Sequence, residues 1–301
     1  MKKVLITGGA GFIGSHILDY FKEKGFFCAV VDNLSTGKIE NTRNSDVFYN
    51  IDIRDEGKLM DIFKEHKFDF VIHQAAQVSV NKSINNPIED LSTNIVGSLN
   101  LINLCKKFLV NKIILASTAA VYGEKNSLPI KESDDLSPIC PYGISKMAME
   151  FYVKCSGLNY GIFRYSNVYG PRQYQSAESG VISIFCNNIK NKTNHIVFGD
   201  GEQTRDFIYV ENVAKVIFNY CNSDLNNQIL NLSSNTSITI NKLISTLNKI
   251  SEINLPIIYK EPRPNEIIHS RLDNSNIIKL NLINNDIFDF EMTINNTLKL
   301  I

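Results

Sequence analysis

The sequence predicts an α/β fold: a doubly wound parallel sheet over the first half, followed by a smaller C-terminal α/β domain. Three observations carry this. Short β-rich runs alternate with helix-length segments, the runs are nearly uniformly apolar, and a glycine-rich turn follows the first of them. Strands that are apolar on both sides suit a sheet covered by helices on both faces. A chain of 301 residues can bury a large core, and its length allows one or two domains.

In order along the chain, KVLIT (3–7), FCAVV (27–31), VFYNI (47–51), DFVIH (69–73), KIILAS (112–117) and YGIFRY (160–165) read as strands. Between them lie helical patterns at 12–24, 55–66, 88–109 and 142–156. After about residue 167 the alternation loosens, and a further βα stretch follows at 207–232. The stretches NNIKNKTN and NLSSNTSITIN are Asn-rich but interrupted by apolar residues, so they read as loops and helix ends. The expected division is a first domain of 1–166, to which the chain returns around 207–232, and a second formed mainly by 167–301.

Composition narrows the function. Lys plus Arg and Asp plus Glu number 31 each, so no charge excess points to a nucleic-acid or membrane partner. The six cysteines, at 28, 105, 140, 155, 186 and 221, are scattered singly and form no metal-like pairing with the five histidines. That pattern reads as free thiols in a reducing compartment, with no metal site. Met1-Lys2-Lys3 precedes an apolar run too short for a secretion signal, and no run of about 18 apolar residues offers a membrane span. A cytoplasmic location is expected, which makes the sequon at Asn81-Lys82-Ser83 a chance match.

The first strand enters Thr7-Gly8-Gly9-Ala10-Gly11-Phe12-Ile13-Gly14 and then a helix. Glycines at 8, 11 and 14 permit a tight turn, close backbone approach to a pyrophosphate, and close helix–strand packing. A diphosphate would then sit on the helix N-terminus, where unsatisfied N–H groups favour an anion. Asp32 ends the next strand, 18 residues beyond Gly14, near the spacing expected of a ribose-binding carboxylate. The following Asn33-Leu34-Ser35-Thr36-Gly37 contains no arginine to accept a 2′-phosphate. The first domain is thus a Rossmann domain, and NAD is the expected cofactor.

Pro141-Tyr142-Gly143-Ile144-Ser145-Lys146 sets Tyr142 and Lys146 four apart on one helix face. A phenol with a pKa near ~10 is a poor base at neutral pH. A nearby ammonium, with the charge of an oxidised nicotinamide, is expected to lower that value. Thr118, at the C-terminal end of a buried strand, supplies a hydroxyl at the sheet edge where open α/β folds bind ligands. Taken alone, the Tyr-x-x-x-Lys spacing is common by chance and reads equally as two solvated residues on a helix.

TGGAGFIG, DNLSTG, VIHQAAQVSV, STAAVYG, PYGISK, RYSNVYGPRQ and GDGEQTRDFIYV occur in that order from the N-terminus to about Asp273. In these motifs the chain resembles the extended short-chain dehydrogenase/reductases that act on nucleotide sugars, above all UDP-glucose 4-epimerases and their UDP-N-acetylglucosamine-accepting relatives. The resemblance implies NAD-dependent epimerisation of a UDP-hexose at C4 through a transient 4-keto sugar. Tyr142 would take the C4 hydroxyl proton, Thr118 would hold that oxygen, and Lys146 would tune Tyr142 and bind the nicotinamide ribose. Related 4,6-dehydratases carry an Asp-Glu pair, or at least a Glu, after the hydroxyl residue, and UDP-xylose-forming decarboxylases tend to keep a Glu. Here Ala119 and Ala120 follow, so nothing acts at C5 or C6 and the keto sugar can only take its hydride back.

The same resemblance assigns further cofactor contacts to Asp52, Ile53, Gln74, Ala75, Ala76, Gln77 and Asn94. It assigns substrate contacts to Ser79, Asn167, Val181, Val197, Arg205, Arg263, Glu266 and Ser270. The two arginines would grip the diphosphate through forked donors, while Val181 and Val197 read almost as well as apolar core. His73 reads as a structural residue ending a strand; His66 and His195 carry no signal. Ser270 stands where galactose-restricted relatives have a bulky tyrosine, leaving room for an N-acetyl group. Ser166 replaces an aromatic residue many relatives set beside the nicotinamide. The resemblance also implies a homodimer formed through helices near 94–108 and 143–156. The alternatives are a UDP-glucuronate 4-epimerase, a dehydratase with displaced acids, or a non-catalytic dinucleotide-sensing protein, which would have no need of Thr118, Tyr142 and Lys146 together.

Overall fold

The structure is a computed structural model that describes residues 1–173, 180–263, 267–284 and 289–300. The chain forms two compact units. The first comprises residues 1–124, 132–165 and 213–230; the second comprises 125–131, 166–212 and 231–301.

In the first unit, β1 (Lys3–Thr7), α1 (Phe12–Glu23), β2 (Phe27–Asp32), β3 (Val47–Asn50), α2 (Glu56–Glu65) and β4 (Phe70–His73) follow the alternation seen in the sequence. Next come α3 (Val80–Asn85), α4 (Pro87–Leu91), α5 (Gly97–Lys107), β5 (Lys112–Thr118), α6 (Pro141–Lys154) and β6 (Tyr160–Tyr165). The expected helix over 88–109 is therefore interrupted. Pro87 starts α4 behind an Asn86 cap, and a wide π turn at Ser92–Val96 separates it from α5. Such bulges rotate one residue out of the helical register and are frequent at functional sites; here that turn carries Asn94, which is fully buried. The unanticipated α3 is short and is capped by Ser79, whose hydroxyl accepts the Lys82 N–H at 2.9 Å.

The second unit contains β7 (Asn167–Tyr169), α7 (Val181–Asn191), β8 (His195–Phe198), β9 (Thr204–Arg205) and β10 (Phe207–Tyr209). From there α8 (Val210–Cys221) carries the chain back to the first unit, and β11 (Gln228–Leu232) follows. The return begins at residue 213 because Phe207–Tyr209 pair with Asn167–Tyr169. The rest of the second unit is β12 (Ile238–Thr239), α9 (Ile240–Ser251), β13 (Ile257–Lys260), α10 (Ser275–Lys279) and α11 (Phe290–Leu300).

Seven strands build the main sheet in the order β11-β6-β5-β4-β1-β2-β3, and the pairs from β3 across to β6 are parallel. Chain direction across the sheet reverses between β1 and β4, the switch point outside which ligands bind in such sheets. One face packs Leu5, Val31, Val71 and Leu115 against Leu59 and Phe63 of α2, Leu101 of α5 and Met149 of α6. The residues between them, Val4, Ile6, Val30 and Ile72, are fully buried too, while α1 and α8 meet through Phe21 and Phe218 with ring centroids 5.2 Å apart. Uniformly apolar strands are the direct consequence of this double cover.

Lys112, the first residue of β5, is 5% exposed. Its ammonium donates to the carbonyls of Tyr220, Ser223 and Leu225 at 3.2, 3.1 and 2.7 Å, satisfying one carbonyl in the last turn of α8 and two in the segment that follows it. The second unit has a separate core in which Tyr169, Phe185, Phe207, Leu243 and Ile294 pack together.

Candidate active site

β1 delivers the chain into the glycine turn. Gly8 has φ +71°, and a Cβ there would lie 2.6 Å from the Ala75 nitrogen; one on Gly14 would lie 2.1 Å from the Gly8 oxygen. Side chains would therefore fill the cradle. Gly11 caps α1 with no side-chain bond, and the first turn, from Phe12 and Ile13, holds no acid. Its N–H groups are free of competing carboxylates, which fits a diphosphate.

Asp32 ends β2 and is buried. Its carboxylate accepts N–H bonds from Ala10 at 3.0 Å and Leu34 at 2.8 Å, so it shapes the glycine turn and keeps lone pairs for a ribose hydroxyl. Burial raises its pKa, opposed by those two donors. Asn33 fixes the loop by accepting the Ser35 N–H at 3.0 Å and donating to Asp52 at 2.8 Å. The Lys38 N–H, following Ser35-Thr36-Gly37, donates to the Ala10 carbonyl at 3.0 Å. The fold does bring an arginine to this loop. Arg54 takes Asp52 in a fork of 2.8 and 2.7 Å, holding that carboxyl well below its ordinary value and engaging the guanidinium. The Ile53 side chain is buried in the apolar core.

After β4, Gln74 pairs with the Tyr165 hydroxyl at 3.1 Å, and the Ala75 N–H reaches the Thr7 hydroxyl at 3.4 Å. Ala76 lies partly buried between them and Gln77. Asn94 accepts the Gln77 N–H at 2.8 Å and donates to the Gln77 carbonyl at 2.9 Å, the Asp90 carboxylate at 3.1 Å and the Ser145 hydroxyl at 3.0 Å. Its amide is thus engaged by the protein, where it braces the 74–77 loop against α6. Ser79 is also buried. His73 is structural: its ring meets Thr7 at 2.7 Å and Ser98 at 2.9 Å, and burial lowers its pKa to about 3, keeping it neutral.

Thr118 ends β5, and Tyr142 and Lys146 lie one turn apart on α6, which Pro141 opens. Tyr142 is hydrogen-bonded to the Thr118 side chain, which also accepts the Ala120 N–H at 3.2 Å. The Lys146 ammonium donates to the Ala116 carbonyl at 3.0 Å and lies 6.0 Å from the Tyr142 ring centroid. Burial pushes Tyr142 up to about 12 and Lys146 down to about 8. The depressed phenol expected from the Tyr142–Lys146 spacing is thus not found in the chain alone. Desolvation outweighs charge there, since the ammonium is turned to a backbone carbonyl; the other positive charge invoked belongs to the cofactor.

Beneath these groups lies a buried pair invisible to motif reading. Arg164 grips Glu150 at 3.0 and 2.6 Å and donates to the Tyr122 hydroxyl at 2.9 Å, while Ser117 donates to Glu150 at 2.5 Å. Of the two hydroxyls ending β5, only Thr118 meets Tyr142. Motif reading does not single out Asp90, Ser145, Glu150 or Arg164, because each has a key partner supplied by another element: Gln77 for Asp90, Asn94 for Ser145, and Glu150 and Arg164 for each other.

In the second unit, Arg205 donates to the carbonyls of Thr204 and Ile268 at 2.9 and 3.1 Å, and Arg263 stacks over the Phe198 ring at 4.2 Å. Asn167 folds onto the Asp206 carbonyl at 3.1 Å, and the Ser270 N–H reaches the Thr204 carbonyl at 3.3 Å. Val197 is 2% exposed and belongs to the core, with Val181 packed at its margin; the apolar-core reading is the better one for Val197. Glu266 lies outside the described residues. Asp206 takes N–H bonds from Ser234 at 3.0 Å and Leu272 at 3.1 Å, and the Ser234 hydroxyl at 2.9 Å; burial pushes its pKa up to about 6.

Known proteins resemble this chain in sequence and fold. A putative UDP-glucose 4-epimerase of Methanocaldococcus jannaschii is 41% identical over 278 residues, 90% of this chain and 89% of that protein. A solved UDP-glucose 4-epimerase of Thermotoga maritima with UDP-glucose superposes with a TM-score of 0.94 at 37% identity, covering 99% of this chain and 98% of that one. A UDP-N-acetylglucosamine 4-epimerase of Methanobrevibacter ruminantium M1, in complex with UDP-N-acetylmuramic acid, gives 0.94 at 38% identity, covering 99% and 97%. The pattern of the NAD dependent epimerase/dehydratase family matches residues 4–233, the stretch that holds the glycine cradle, Asp32, Thr118, Tyr142 and Lys146, and the chain belongs to that family.

Proposed function

We propose that the protein interconverts UDP-hexoses epimeric at C4, UDP-glucose with UDP-galactose and also their N-acetyl counterparts, through a transient 4-keto sugar. The observation that carries this is Tyr142 bonded to Thr118 and one turn from Lys146, next to the carboxyl-free Ala119-Ala120 turn. The glycine cradle and Asp32 would hold NAD, which when bound would supply a reversible hydride acceptor. Tyr142 as phenolate takes the C4 hydroxyl proton, and Thr118 orients that oxygen. Lys146 binds the nicotinamide ribose, and its charge assists the Tyr142 phenolate. Inversion requires the 4-keto sugar to present its opposite face for hydride return, and Tyr142 then gives its proton back to the C4 oxygen. No carboxyl group stands at 119 or 120 to remove a C5 proton or expel the C6 hydroxyl. General acid–base catalysis of this kind contributes about 10²–10⁴-fold.

The first unit then serves the dinucleotide, and Asn167, Arg205, Arg263, Glu266 and Ser270 of the second serve the nucleotide sugar. Six free cysteines support a reducing, cytoplasmic setting. Exposed Val96, Ile144, Phe151 and Tyr152 support a homodimer through the helices that carry them; sedimentation as a monomer at micromolar concentration would argue against it. Mass-resolved chromatography of the purified protein with UDP-galactose, and separately with UDP-N-acetylglucosamine, tests the activity. Isomers of unchanged mass are expected from both. Loss of water would overturn the role given to Ala119-Ala120. A Ser270→Tyr variant is expected to keep UDP-galactose turnover and lose the acetamido sugar.

A further inference from the structure

Asp90 is 2% exposed on the five-residue helix α4, and no motif singled it out. One of its carboxylate oxygens accepts the Gln77 side-chain amide at 2.8 Å and the Asn94 amide at 3.1 Å. Asn94 passes the connection to Ser145 at 3.0 Å, and the Ser145 hydroxyl donates to the Tyr142 carbonyl at 3.0 Å. A continuous hydrogen-bonded chain therefore runs from this carboxylate through the 74–77 loop and Asn94 to the backbone of the helix that carries Tyr142 and Lys146. Two neutral amides bind one of its oxygens, and neutral donors bring no countercharge to a buried carboxylate. The nearby cation is Lys146, on which the Asp90 charge acts more strongly than any other carboxylate.

We propose that Asp90 is a positioning residue for the reaction, one that braces Asn94 and the 74–77 loop and supplies the countercharge of the Lys146 ammonium. This rests on the roles proposed above for Tyr142 and Lys146. Other charged or titratable groups around Lys146 are otherwise engaged. Glu150, one turn further along α6, is gripped by Arg164 of β6, which also binds Tyr122. Glu89 of α4 pairs with Lys82 of α3 at 2.6 Å. His73 of β4 is neutral. Tyr165 of β6 is hydrogen-bonded to Gln74, and Cys140 precedes α6 and acts on Tyr142. Asp90 is left as the carboxylate whose charge reaches both Lys146 and Tyr142.

Its charge favours the ammonium and disfavours the phenolate, so removing it lowers both pKa values. Turnover requires Tyr142 able to give up its proton and Lys146 holding its own. Both limbs of the pH profile should therefore move toward acid together, by about one pH unit. A purely structural role would lower kcat or stability without moving either limb.

The test compares kcat against pH for the NAD-loaded wild type, D90N and D90E with UDP-galactose. D90N is expected to shift both limbs to lower pH, and D90E to restore their positions even where its kcat stays low. An unmoved D90N profile, at any kcat, overturns the inference. Should D90N not fold, D90S removes the same charge and is judged by the same shift. Y142F and K146M separate the two levels: full turnover by either would remove the underlying roles, whereas their loss of turnover alongside an unmoved D90N profile would remove only the inference about Asp90.

Discussion

In the first unit the candidate catalytic groups stand on a seven-residue strand and a fourteen-residue helix, with buried hydrogen bonds behind each of them. In the second unit Arg205 stands on a two-residue strand and Arg263 on a loop over one aromatic ring. The small sheets around these arginines, β7 with β10, β9 with β12 and β8 with β13, have two strands apiece. Proton transfer fails if an oxygen is misplaced by an ångström, and it needs rigid support. Gripping a diphosphate tolerates long cationic side chains that adjust to the ligand. On the roles proposed above, the chemistry would be set deep and recognition would be set in segments that can vary.

The largest test of this contrast is Tyr142→Phe, expected to cut kcat by about 10²–10⁴-fold with the melting temperature unchanged; full activity would remove the distinction. Next comes Glu150→Gln, which leaves Arg164 buried with half its partner. Breaking a buried pair by changing one member costs about 3–5 kcal/mol, measurable as a lower urea midpoint. A midpoint close to that of the wild type would mean the support beneath β5 is dispensable.

Asp206 is the exception that sharpens the comparison, being a buried carboxylate in the second unit. Its folded pKa of about 6 lies above the ordinary aspartate value of 3.8. The folded state therefore holds the proton more tightly, and this stabilisation is complete below pH 3.8 and is lost as pH rises through about 6. Since one pKa unit corresponds to about 1.36 kcal/mol, the group is expected to cost the second unit about 3 kcal/mol at neutral pH relative to acid. Denaturant melts of the wild type and Asp206→Asn between about pH 4 and 7 should diverge in slope, and parallel curves would refute the assignment. The smallest effect is Arg205→Met. Losing a charge-assisted contact worth about 1.5–3 kcal/mol should raise KM for the UDP-sugar about 10–150-fold, with kcat and stability nearly intact. A fall in kcat alone would place Arg205 with the chemistry instead.

What the sequence disclosed divides along another line, between local patterns and contacts that join separate elements. The glycine turn, Asp32 and the Tyr142–Lys146 spacing are local patterns, and local spacing survives translation into structure. The brace made by Asp90, Asn94 and Ser145, and the Glu150–Arg164 pair, join residues from separate elements and leave no spacing to read. Burial raises the pKa of Tyr142 in the chain alone, an effect invisible in a sequence because charge can be counted there whereas desolvation cannot. Val197 illustrates the apolar case: a valine in a short strand fits a ligand pocket or a core equally well until its neighbours are known. The π turn at Ser92–Val96 escaped because its residues are ordinary helix material whose register is set by what Asn94 must reach.

Lys112 bears on how the chain comes off the ribosome. Its three acceptors, on Tyr220, Ser223 and Leu225, are made only after the whole excursion through 166–212 has been synthesised. Until then the first six strands of the sheet can pair, but an ammonium destined for burial has nothing to donate to, and the β6 edge lacks β11. The nascent first unit must therefore wait, open along one side, while its companion is built, and a polypeptide cut after residue 166 would inherit that open edge permanently.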